Sequence, residues 1–222
     1  MIGKCDSGEK NKKKPLPPHT NLRYSECHAK IILEDIFFEQ LGNLELRDKP
    51  DLQSFEKDIG IEVVIAENQN VLKAERNYSY LPYDENDENR QRKIDSIEEC
   101  DAEYIDGILC SSGYDNFNLV NKAVKEKIKK FASTNYKQFK ENHLFVFSSI
   151  YANDSMLRDE LTFLQSIDSE KHLKKIYVLF PDKLCCFDLE RATYEKFAID
   201  SNTQMQYALE ARKYVEEKES SP

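Results

Sequence analysis

The sequence predicts an α/β fold, a mixed sheet of four to five strands flanked by helices. Three observations carry that expectation. Residues 59–67, IGIEVVIAE, concentrate β-branched side chains (Ile59, Ile61, Val63, Val64, Ile65) at the density of a strand buried on both faces. Residues 117–132 place Leu119, Val120, Ala123, Val124, Ile128 and Phe131 on one helical face with lysines opposite. Three later apolar runs, HLFVFSSI (143–150), KKIYVLF (174–180) and KLCCFDL (183–189), supply further strands, the last two joined through Pro181-Asp182.

Taken in order, residues 1–20 read as a flexible, basic tail ending in PLPP. A helix follows from Asn21 or Ser25, with Leu22, Ala29, Ile32, Leu33, Ile36, Phe37 and Leu41 at helical spacing and Gly42 as its stop. Asn43–Leu46 reads as a short strand. RDKPDLQSFEKD then turns at Lys49-Pro50 and extends beyond it. After the 59–67 strand, residues 68–81 read as helix. The stretch from about 84 to 106 holds ten acids against three bases and reads as a long loop or loosely helical insertion. A helix from Asp154 to Ser166 lies between the next two strands, and a last helix spans about Thr203–Glu217 before a polar tail. Residues 21–218 are thus expected to form one α/β domain with an acidic insertion.

Composition narrows the function classes. The chain has 222 residues, 40% of them hydrophobic, with 12 Tyr and 12 Phe, enough to bury a substantial core. No apolar stretch approaches the roughly 18 residues of a membrane span. The N-terminal lysines precede no apolar run, so a cytoplasmic location is expected. Cys5, Cys27, Cys100, Cys110, Cys185 and Cys186 form no CxxC pair and read as reduced, buried thiols. The net charge of −9 opposes polyanion binding in sum, yet residues 122–140 hold seven lysines against Glu126 alone. That part carries the local positive charge that binding a polyanion requires.

Two carboxylates stand out. Asp51 follows Pro50, and Glu62 interrupts an otherwise apolar strand eleven residues later. A carboxylate buried there must be paired, protonated or metal-bound. Two carboxylates at the ends of adjacent strands suit Mg²⁺, which binds one or two of them, keeps several waters and accepts substrate phosphate. A neighbouring lysine would orient or activate a water.

The run Lys49-Pro50-Asp51, followed by Gly60-Ile61-Glu62-Val63-Val64, resembles the PD-(D/E)xK motif of the restriction-endonuclease-like nuclease superfamily. The resemblance covers residues 22–81, and by element order extends towards 150. It implies that Asp51 and Glu62 bind Mg²⁺ (or Mn²⁺), with Glu26 on the preceding helix as an additional acid. It implies cleavage of phosphodiester bonds in DNA, or in RNA. The motif lysine should lie two residues after Glu62, where Val64 stands. In some members a nearby helix supplies it, and Lys73 or Lys127 could do so here. Such enzymes often act as dimers. Tyr78, Tyr80 and Tyr83, just before the acidic stretch, could stack on bases.

The alternative is a catalytically inactive nuclease-fold protein that binds nucleic acid or protein as a subunit of a phage-defence or mobile-element system. Other chemistries lack their motifs. Cys27 and His28 are helical neighbours that do not face one another. His19, His28, His143 and His172 form no HxxxH or HExxH pattern, and no GxGxxG, GxxxxGK[ST] or GxSxG run exists.

Overall fold

A computed structural model describes residues 15–17, 20–111, 116–131, 139–168 and 172–219. Most of the basic tail, Cys5 and Lys137 lie outside these residues. The described chain divides into two compact units. One holds residues 20–68 and 116–219, the other Gln69–Ser111 with residues 15–17.

The larger unit begins with α1 (Tyr24–Leu41), then β1 (Glu45–Leu46), β2 (Leu52–Ser54) and β3 (Ile59–Ile65). The smaller unit follows with α2 (Gln69–Tyr80), α3 (Asp87–Glu98), β4 (Ala102–Ile105) and β5 (Ile108–Ser111). The larger unit resumes with α4 (Asn118–Phe131), β6 (Glu141–Phe147), α5 (Asp154–Ile167), β7 (Lys175–Leu179), β8 (Lys183–Asp188), β9 (Thr193–Ala198) and α6 (Ser201–Glu219). Its sheet has the order β1-β2-β3-β6-β7-β8-β9. The three central strands, β3, β6 and β7, run parallel, and all other pairings are antiparallel. Parallel neighbours need a crossover, and α5 lies in the one between β6 and β7.

The alternation of side chains along each strand sorts the core into two layers. On one face Ile59, Ile61, Val63, Phe145, Tyr177 and Cys186 pack with Ala29, Ile32, Leu33 and Phe37 of α1 and Tyr207 of α6. On the other, Leu144, Val146, Ile176, Val178 and Cys185 pack with Val120, Val124 and Phe131 of α4 and Leu157 and Leu164 of α5. Adjacent Cys185 and Cys186 therefore point into opposite layers. Gly42, at φ 66°, ends α1 by donating its N–H to Phe38 O at 2.7 Å.

Three expectations need correction. The sheet has seven strands, not four to five. β9 was not anticipated, because TYEKFA carries polar, half-exposed side chains along a sheet edge. The acidic stretch, expected as a long loop or a loosely helical insertion, is helical over α3 and then forms the β4–β5 hairpin. Asn86 caps α3 by accepting from Glu88 N and Asn89 N. Asp106-Gly107, both at positive φ, then turn the β4–β5 hairpin. This smaller unit has its own core of Ala74, Leu81, Ile97, Cys100 and Ala102, flanked by Tyr78, Ile94, Tyr104 and Leu109. Finally, Cys110 is exposed rather than buried, although all the described cysteines are free thiols. Among the described residues no helix is long and apolar enough to cross a membrane.

Candidate functional site

Glu62 lies mid-strand in β3 and is only 2% exposed. Its even-numbered position turns it away from Ile61 and Val63, towards the layer that holds α4. There Lys127 Nζ donates to Glu62 Oε2, in an ion pair whose lysine side chain is 13% exposed. Lys127 belongs to the inner face of its helix. Val120, Ala123, Val124, Lys127, Ile128 and Phe131 follow the i, i+3, i+4, i+7 spacing of one apolar stripe. A lysine in that stripe must find an acid, and Glu62 is the acid.

Asp51 reaches the same place through sheet register. Leu52 pairs with Ile61 in the antiparallel β2–β3 ladder, so one step further sets Asp51 across from Glu62. Its Oδ2 accepts Val63 N at 2.8 Å, and its carbonyl accepts Arg47 N at 2.9 Å. Both bonds fix the residue before it enters the ladder. Gly60 makes this close approach possible. A β-carbon there would stand 2.6 Å from Pro50 Cγ and 2.8 Å from the Phe139 ring.

Glu26, in the first turn of α1, joins the group electrostatically, with Arg23 beside it at 3.6 Å. Burial pushes the Glu26 carboxyl up to about 7, assisted by the negative charges of Asp51 and Glu62 and opposed by Arg23 and Lys127. Burial also raises Asp51 above the usual carboxylate range, with Glu62 adding to the effect. The Val63 N–H, Lys127 and Arg23 pull it back. Glu26, Asp51, Glu62, Lys127 and Arg23 thus form one interacting cluster of three carboxylates and two cations.

Other residues singled out in the sequence go elsewhere. Lys73 belongs to the smaller unit, where it pairs with Glu99 at 3.6 Å. Tyr78 and Tyr80 are held in that unit too, donating to Gly107 O and Leu16 O. Lys122, Lys125 and Lys129 are exposed on α4. At about 100° per residue they lie about 140–160° around the helix from Lys127, so this row faces away from the cluster. Arg23 carries no sequence signal beyond its three-residue spacing from Glu26. His28 lies between the Tyr24 and Phe147 rings, its pKa pushed down to about 4 by burial. Burial moves the Cys27 thiol the other way, up to about 11, so this pair supplies neither thiolate nor imidazolium.

Among the described residues, no three acidic, histidine or cysteine side chains converge closely enough to hold a metal ion. The donor chemistry nevertheless suits Mg²⁺ or Mn²⁺, because two adjacent carboxylates with waters satisfy such an ion. Asp51 and Glu62, set across from one another by the β2–β3 register, are the residues that could supply them. No protein-family model, curated protein or solved structure matches the chain.

Proposed function

We propose that this chain is a metal-dependent nuclease of the restriction-endonuclease-like type, hydrolysing phosphodiester bonds, in DNA first, with its motif lysine moved to α4. The observation that carries the reading is the meeting of Lys127 with Glu62 beside Asp51. Helix α1 with Glu26, the short strand β1, the Pro50-Asp51 segment and the strand carrying Glu62 follow in the order that the resemblance implies, while the helix next in the chain, α2, belongs to the smaller unit. Val64 stands where the lysine is usual, and the amine at Glu62 comes from Lys127 instead.

In this reading Asp51 and Glu62 would hold the metal, which would supply Lewis acidity towards a water and towards the charge developing at phosphorus. Glu26 adds a third carboxyl group to the cluster. Lys127 orients the attacking water or the phosphate oxygen by donating from its ammonium. The test is cleavage of plasmid and single-stranded DNA with Mg²⁺ or Mn²⁺ by wild type, Asp51→Ala and Glu62→Ala. Cleavage by wild type and its loss in both folded variants is expected. A wild type that cuts nothing with either metal rejects catalysis.

A second reading, a catalytically inactive nuclease-fold subunit that binds nucleic acid or protein, is favoured by the Lys122, Lys125 and Lys129 row. That row faces away from the cluster, so a polyanion held there would not be led directly to Asp51 and Glu62.

A further inference from the structure

The bridge between Lys127 and Glu62 is the deepest ion pair of the cluster, its side chains 13% and 3% exposed. A carboxylate at that depth cannot stand without a counter-charge. The same Oε2 that accepts the ammonium is an oxygen that a divalent cation at Asp51 and Glu62 would take. An ammonium and a divalent ion on one carboxylate repel each other, so their occupancy is competitive. Lys127 also has somewhere to go. Its ammonium ends a flexible four-carbon stem, and the side chain retains contact with solvent.

We propose that the Lys127–Glu62 bridge is the resting form of the site, and that a divalent cation binds Asp51 and Glu62 by displacing the lysine ammonium. The released ammonium is then free to turn towards solvent, where a phosphodiester would meet it. The site is therefore latched in the metal-free protein, and the cation both completes it and frees its lysine. This inference rests on the nuclease reading, and a measurement without catalysis separates the two.

Mn²⁺ alone, and Ca²⁺ alone, would be titrated calorimetrically into metal-free wild type, Lys127→Met and Lys127→Gln. Removing the competing ammonium should tighten binding by about tenfold or more in both variants, which corresponds to about 1.4 kcal/mol of competing ion-pair energy. If Lys127→Met does not fold without metal, Lys127→Gln keeps a donor for Glu62 without the charge and carries the comparison. Binding by the variants but not by wild type would overturn the displacement, because the ammonium would then exclude the cation. Wild-type binding that is unchanged or weakened in the variants overturns the latch and leaves the metal-dependent nuclease in place. No binding by any of the three proteins removes both.

Discussion

Removing Lys127 in the absence of metal is the sharpest test of how Glu62 is held. Lys127→Met keeps the length and apolar volume of the side chain and deletes the charge, leaving Glu62 as an unpaired carboxylate at 2% exposure. Breaking a buried pair from one side costs about 3–5 kcal/mol. An independent estimate agrees, since two unit charges about 4 Å apart attract by about 4 kcal/mol at an effective dielectric constant near 20. The converse change, Glu62→Leu, should cost less, because the freed lysine can extend towards solvent. The double variant should recover most of the loss, as an apolar pair replaces an ionic one. Urea denaturation in EDTA, followed by circular dichroism, gives the four free energies of the cycle. A coupling of at least about 2 kcal/mol is expected for groups in direct contact. A coupling below about 0.5 kcal/mol, the value of an exposed pair, would refute the claim that Glu62 depends on Lys127.

Two further outcomes follow from the same site. Gly60→Ala should destabilise the protein by about 1–3 kcal/mol, because its new methyl meets Pro50 and the Phe139 ring at distances that force one of them to move. A melting temperature equal to wild type would contradict that packing. Glu26 holds its proton up to about pH 7 in the folded chain but releases it near 4.5 when unfolded. Its contribution is therefore fully present below pH 4.5 and lost as pH rises through 7. Glu26→Gln, which keeps the neutral shape, should accordingly gain stability relative to wild type between pH 5 and 8.5. Melting curves whose difference stays flat over that range would show that the carboxyl is not perturbed.

The elements legible in the sequence are those whose apolar period is set by burial. α1, β3, α4, β6, α5, β7, β8 and α6 fall within a few residues of where that pattern puts them. β9 escapes because an edge strand needs few apolar residues. The β4–β5 hairpin escapes for a different reason. Asp106-Gly107 between YI and IL is a strong turn signal, but the local excess of acids draws attention to charge instead. Glu62 is visible as a charge within an apolar strand. Which lysine meets Glu62 is a tertiary question, yet one local sign bears on it. Lys127 interrupts the apolar stripe of its helix, whereas Lys122, Lys125 and Lys129 lie opposite it. Arg23 has no comparable mark, because an exposed arginine before a helix is defined only by what folds up to it.

The two margins of the seven-stranded sheet also constrain how copies of this chain can associate. β1 offers only two residues for pairing, and β9 presents a half-exposed ribbon carrying Glu195 and Lys196. Lys196 is further tied to Asp154 at 2.6 Å. A short margin on one side and a charged one on the other make poor templates for continuing the ladder into a neighbouring molecule. Continuing this unit's sheet from one copy into another is therefore disfavoured at both of its margins.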